Sequence, residues 1–268
     1  MADVKIGVVG AAGRMGRMVV KEITETEGAC LGGASEGPGN PEIGSDAGVL
    51  AGVGALGVTL IDDPAEIFAT ADAVIDFTRP APTLAHAALA AQARTPFITG
   101  TTGFEAGEEE GLAKAARHTP VVWAPNMCLG VNLLFAITQQ VAAALGDDFD
   151  IEIFEIHHKH KVDAPSGTAL GLGQAAARGR GVVLDKVAAR GRDGITGERE
   201  RGAIGFASLR GGSVTGDHTV TFAGEGERIE LTHRAEGRHV FARGAVRAAL
   251  WAQGKAPGLY GMNDVLGI

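Results

Sequence analysis

Five consecutive residues, His157-His-Lys-His-Lys161, gather imidazole and ammonium groups in a 268-residue chain whose formal net charge is −8. Histidine exchanges a proton near neutral pH. Lysine supplies a point charge and, when desolvated, a proton. A dense cationic patch on an acidic chain suits a small anion. Two other readings stay open at this point: a solvated basic loop, or a metal site in which His158 and His160 share one face of a strand. The interleaved lysines oppose a cation, and no Cys or second His-x-His lies near, so no metal is expected. Shortly downstream, Ser166, Gly167 and Thr168 precede an apolar helical run. Amides and hydroxyls at a helix start form a cradle for a carboxylate, and Pro165 keeps the residue before it extended.

A second feature is the loop Gly10-Ala-Ala-Gly-Arg-Met-Gly16, which follows the β-branched run of residues 4–9. The G-x-x-G-x-x-G spacing is a variant of the dinucleotide fingerprint, in which glycines allow a tight turn and close approach to a pyrophosphate. Gly10, Ala11, Ala12, Gly13, Arg14 and Met15 are therefore expected to contact a nicotinamide dinucleotide. Glu36 has the placement of the acid that hydrogen-bonds the adenosine ribose. Gly37 follows it, with no arginine in the next dozen positions to compensate a 2′-phosphate, so NADH is expected to be preferred over NADPH. Gly100, Thr101 and Thr102, with Ala124, Pro125, Asn126 and Met127, sit after strand ends and are expected to line the cofactor. Ordinary βα turns are the alternative for both.

Positioning these residues requires an alternation of strands and helices. Strands are expected near 4–9, 30–35, 73–77, 96–99 and 121–123, with helices near 14–26, 82–93 and 105–117; this pattern implies a parallel, doubly wound sheet. Residues 37–57, rich in glycine and proline, read as loop. A helix over 130–145 leads to period-two runs at 149–156, 203–210, 219–223 and 228–234, the pattern of half-exposed strands. Residues 190–202 read as a mobile polar loop, and a last helix over 239–252 precedes the tail. The fold expected is α/β: an N-terminal dinucleotide-binding domain over 1–128, completed by 239–268, and a central α+β domain over 129–238 with a mixed, largely antiparallel sheet. Hinges are expected near 127–130 and 236–239.

Composition narrows the function classes. A 45% apolar content with 21% charged residues suits a globular chain. Cys30 and Cys128 fit neither a disulfide framework nor a zinc site, which favours a reducing cytoplasm. The negative charge argues against nucleic acid. No apolar run is expected to reach membrane-spanning length, so neither a membrane nor a secretory route is expected.

The string Glu155-Ile-His-His-Lys-His-Lys-Val-Asp-Ala-Pro-Ser-Gly-Thr-Ala-Leu170 resembles the signature of the 4-hydroxy-tetrahydrodipicolinate reductase (dihydrodipicolinate reductase) family. The resemblance extends to the glycine loop, Gly100-Thr-Thr-Gly103, Ala124-Pro-Asn-Met127, Gly216-Asp-His218 and the closing Gly258-Leu-Tyr-Gly-Met-Asn-Asp-Val-Leu266, nearly the whole chain. It implies a Rossmann-like first domain, NADH or NADPH as hydride donor, and a small cyclic dicarboxylate as substrate in the diaminopimelate route to lysine. It also implies His157 as acid/base, Lys161 as proton donor and carboxylate partner, and His158 as a substrate contact. Gly167 and Thr168 would hold the second carboxylate, Arg238 would add a cationic contact, and the chain would form a homotetramer through the central sheet. The family often carries arginine where this sequence has Gly37. Aspartate and homoserine dehydrogenases share the glycine loop but lack the His-His-Lys-His-Lys…Ser-Gly-Thr string. A redox-sensing regulator would need a basic helix, which is absent.

Overall fold

The computed structural model describes residues 2–268. The chain divides into two compact units, one running to Leu129 and joined by Arg238–Gly267, the other comprising Gly130–Gly237 with Ile268.

The first unit contains β1 (Val4–Val9), α1 (Arg14–Glu25), β2 (Ala29–Ser35), α2 (Ala47–Ala51), β3 (Leu60–Ile61), α3 (Pro64–Thr70), β4 (Ala73–Asp76), α4 (Pro80–Ala93), β5 (Phe97–Thr99), α5 (Glu110–Ala115) and β6 (Pro120–Trp123). Helix α6 (Leu129–Leu145) begins at its boundary. The second unit adds β7 (Asp150–His157), α7 (Gly167–Gly179), α8 (Leu184–Val187), β8 (Ala188–Ala189), β9 (Ile204–Arg210), β10 (Gly216–Gly224) and β11 (Glu227–Ala235). The chain then returns to the first unit with α9 (His239–Trp251), β12 (Gly258–Tyr260) and α10 (Met262–Leu266).

The first sheet is parallel throughout, in the order β12-β6-β5-β4-β1-β2-β3. Its central strands are buried on both faces, which is why they read as continuous apolar runs. Ile6, Val8, Ile75, Ile98 and Val122 cluster with Val19 and Ile23 of α1 and Ala245 of α9. Val9, Val74, Phe97 and Val121 cluster with Phe68 of α3, Ala87 of α4 and Leu112 of α5. Strand order reverses at β1, which lies between β2 and β4, and a crevice opens at such a switch point beyond the strands' carboxyl ends.

The second sheet is mixed, in the order β11-β10-β7-β9-β8. β7 pairs antiparallel with β10 and parallel with β9, the parallel step being bridged by α7 and α8. Only one face is covered. Ile151, Ile153, Glu155 and His157 of β7 are buried while Phe154 is exposed, as the period-two pattern requires.

Three expectations change. Residues 37–57 are not all loop: Asp46 caps α2, its carboxylate accepting from Gly48 N at 2.8 Å and Val49 N at 3.1 Å, and also from Leu56 N and Gly57 N. A five-residue helix has too few turns to show a period. Helix α5 starts at Glu110 rather than 105, because Gly107 adopts φ +90° and interrupts the turn before it. By length and composition, Leu129–Asp148 is apolar enough to cross a membrane, contrary to the sequence expectation. Within the fold this helix serves the second core, with Leu134 and Ala142 buried and Phe135, Val141 and Leu145 packed against it. Residues 190–202 form no helix or strand, but Arg192 forks onto Glu152 at 3.0 and 2.9 Å and Arg199 reaches Asp150 at 2.6 Å, which tethers the loop to β7.

Helix α1 packs tightly on the glycine loop. A Cβ at Gly16 would lie 2.2 Å from Gly10 O and 2.6 Å from Ala11 Cα, both backbone atoms. Gly16→Ala is therefore expected to destabilise the chain by about 1–3 kcal/mol, read as a lower urea midpoint at unchanged slope.

Candidate active site

The core row of β7 changes character along its length. Ile151 and Ile153 pack in the second core, whereas the next two inward positions are Glu155, 0% exposed, and His157, 8% exposed. Glu155 Oε2 accepts from His157 Nδ1 at 2.5 Å. Arg210, register partner of His157 on β9, donates Nη1 to Oε2 and Nη2 to Oε1, each at 2.9 Å. Ser166 N adds a bond to Oε1 at 3.3 Å. Burial pushes the Glu155 carboxyl up, but hydrogen bonds from Arg210 and His157 outweigh it and hold the group below its ordinary 4.5.

On β10, Gly216 and His218 occupy the matching inward positions. The His218 ring meets the His157 ring edge-on at 5.0 Å between centroids, and its Nε2 lies 2.9 Å from Ser166 Oγ. Burial first, then the neighbouring His157 charge, lowers the His218 pKa to about 4, so the ring is neutral at physiological pH. A Cβ at Gly216 would come within 2.8 Å of His157 Nε2; glycine leaves that nitrogen approachable.

Ser166 is the N-cap of α7, its Oγ accepting from Ala169 N at 3.1 Å. Gly167 is exposed and Thr168 half-buried, and both stand in the first turn of a 13-residue helix. Lys161 lies in the β7–α7 loop and pairs with Asp163 at 2.7 Å, and that ammonium holds the Asp163 carboxyl low. β7 ends at His157, so His158 and His160 do not share a strand face; their rings lie 6.3 Å apart in the turn. Among the described residues no group of three or more His, Cys, Asp or Glu is arranged to hold a metal ion.

In the first unit, a cavity of about 490 Å³ opens at the switch point, lined by Gly10, Gly13, Glu36, Gly37, Arg79 and His86 among others. Gly10 has φ +70°, and a Cβ there would lie 2.7 Å from Thr78 Cγ2, so the loop's shape depends on glycine. Glu36 accepts from Ala12 N at 3.1 Å and Gly37 N at 3.0 Å. A smaller cavity of about 220 Å³ gathers Met15, Gly100, Thr102, Pro125, Asn126 and Met127 with Phe77 and Phe241. The remaining expected cofactor residues line neither. Ala11, Thr101 and Ala124 are buried, Ala12 is half-buried and Arg14 is exposed. Thr101 is tied by its hydroxyl to Thr83 at 2.8 Å.

Residues 4–127 match the family described as "Dihydrodipicolinate reductase, N-terminus", and residues 130–266 match "Dihydrodipicolinate reductase, C-terminus". The chain belongs to the dihydrodipicolinate reductase family. Relatives named 4-hydroxy-tetrahydrodipicolinate reductase share its whole length: one from Parvibaculum lavamentivorans is 61% identical over 100% of this chain and 99% of its own. Another, from Dinoroseobacter shibae, is 60% identical over 100% of both. A dipicolinate-bound dihydrodipicolinate reductase from Paenisporosarcina sp. TG-14 has a similar fold, with TM-score 0.76 and 24% identity over 98% of this chain and 99% of that one.

Several residues in these two places had no role assigned from sequence. Glu155 carried a signal, since it lies two residues before His157 on a period-two strand and must share its face. Gly216 and His218 stood in a recognised motif without a function. Arg210 and Arg79 had no local signal, because each reaches its site from a distant part of the chain.

Acid stability follows from these groups. The folded pKa of His218 lies below the ordinary 6.5, so its contribution is complete above pH 6.5 and is lost as pH falls toward 4. That amounts to on the order of 3 kcal/mol. Glu155 contributes fully above 4.5 and loses its share as pH falls through its lower folded value. A Tm–pH profile should therefore decline below pH 6.5 and steepen below 4.5. Arg210→Met should flatten the lower limb and cost about 3–5 kcal/mol at pH 7, because it strands a buried carboxylate.

Proposed function

We propose that the chain reduces 4-hydroxy-tetrahydrodipicolinate to tetrahydrodipicolinate in the diaminopimelate route to lysine, working in the cytoplasm with NADH as the preferred donor. The observation that carries this reading is the buried imidazole of His157 beside the N-terminus of α7, in a chain 61% identical end to end to a reductase of that name. Overall the substrate gains a hydride and a proton and loses water. When bound, the reduced nicotinamide supplies the hydride.

The division of labour is that of residues 1–128, completed by 239–268, for the dinucleotide, and 129–238 for the substrate. The dinucleotide fits the first unit because a cavity of about 490 Å³ opens beside Gly10, Gly13 and Glu36, and the φ of +70° at Gly10 gives the loop its shape. Gly10, Gly13 and Glu36 would hold the phosphates and ribose, while Met15, Gly100, Thr102 and Asn126 would line the nicotinamide end. In the second unit the amides of Gly167 and Thr168, with the Ser166 cap, bind one substrate carboxylate. Lys161 exchanges Asp163 for the other. Asp163 is 55% exposed, and such ion pairs are worth about 0–1 kcal/mol, so the exchange is cheap. His157 gives up the proton, and His158 contacts the substrate. A homotetramer would form on the open face of the second sheet, a reading supported by the outward Phe154 and Leu209, 38% and 49% exposed.

Two measurements test the reading. His157→Gln and Lys161→Ala should each lower kcat by about 10²–10⁴-fold with NADH affinity nearly unchanged; near-normal turnover in both would remove the site. Comparing kcat/KM for the two donors should favour NADH, since Glu36 repels a 2′-phosphate and Gly37 offers no cation. Arg79, the arginine in that cavity's wall, would then carry what NADPH use remains, and Arg79→Ala should reduce the NADPH value alone.

A further inference from the structure

Glu155 is an ionised side chain with no solvent exposure, and a carboxylate only accepts hydrogen bonds. Every contact to it comes from a donor. Arg210 grips both oxygens at 2.9 Å, Ser166 N reaches Oε1 at 3.3 Å, and His157 Nδ1 lies 2.5 Å from Oε2. The last bond exists only if Nδ1 carries a hydrogen. The neutral His157 ring is then the Nδ1–H tautomer, with its lone pair on Nε2, beside which Gly216 leaves space. The same carboxylate holds the amide of Ser166, the residue that caps α7 and begins the cradle.

We propose that Glu155, held in place by Arg210, is a positioning residue that fixes the tautomer of His157 so that Nε2 exchanges the proton, and that aligns the Ser166–Thr168 cradle with it. This rests on the reading of His157 as the proton-exchanging residue. The step balances: the imidazolium loses its Nε2 proton to the substrate, becomes the neutral Nδ1–H ring, and regains a proton from solvent. Arg210 keeps the Glu155 carboxyl from taking the proton itself, so the pair orients and stabilises the imidazolium without becoming protonated. The charged or titratable groups around the ring are Glu155 on its own strand, Arg210 on β9, His218 on β10, and Lys161 and Asp163 in the following loop. Of these, only Glu155 touches Nδ1.

The experiment is ¹⁵N NMR of imidazole-labelled full-length chain, with the His157 signal assigned by its loss in His157→Gln, together with kinetics of Glu155→Gln and of Glu155→Gln/Arg210→Met. The double variant removes the cation that the single one would leave buried. Expected are a protonated Nδ1 and bare Nε2 in the unmodified protein above the ring's pKa, and a mixed or reversed tautomer in the variants. Their kcat should fall by between about tenfold and 10⁴-fold, with NADH affinity within a factor of about two. The pH profile of kcat should change in the variants, because the anion that faces Nδ1 is gone. A proton on Nε2 in the unmodified protein overturns the proposal, even if neither variant folds. So does a variant with unchanged kcat and pH profile while His157→Gln is inactive. Full activity in His157→Gln sinks the catalytic reading instead.

Discussion

An ionised carboxylate buried without water must be surrounded by donors, and the second unit is arranged around meeting that demand at Glu155. An unpaired buried charge costs several kcal/mol, so donors from three parts of the chain converge on it. β7 carries it, β9 brings Arg210, the loop before α7 brings the Ser166 amide, and His157 closes the set. Each donor is also a site component or adjoins one. The electrostatic requirement of one side chain therefore fixes the geometry of the imidazole and of the helix start. His218 completes the arrangement from β10, since burial keeps it neutral and able to share a proton with Ser166 Oγ without adding a second positive charge.

The first unit answers a different constraint. Its central parallel strands are covered on both faces, and the buried polar residues Ser35, Asp76 and Thr99 stand at the last positions of β2, β4 and β5. The cavities accordingly form at the carboxyl ends of β1, β4, β5 and β6, where Gly10, Phe77, Gly100 and Asn126 emerge. Hydroxyl contacts from Thr78 to Thr83 and from Thr83 to Thr101 stitch neighbouring turns together. Thr101, expected as a cofactor contact, is itself buried and bonded to Thr83.

Most elements were legible because their signals are local. β1 and β7 read directly from β-branched runs and period two. The glycine loop read from its spacing, and the helix start at Ser166 from its cap and proline. What escaped was of two kinds. Short elements such as α2, held by the Asp46 carboxylate, have no periodicity to detect. Glycines inside a polar stretch, such as Gly107, shift a helix start in a way composition does not reveal.

The sequence by itself determined the chemistry available: which residues can move a proton, which loop can accept a phosphate, and which helix can cradle a carboxylate. These depend on residue type and on spacing within one element. Only the tertiary structure decided how that chemistry is oriented. The His218 ring against His157, the clamp of Arg210 on Glu155 from 55 residues away, and Arg79 in the same cavity wall as Glu36 all depend on strand pairing across a sheet. Strand order and register arise from the packing of the whole unit, and no window of residues encodes them.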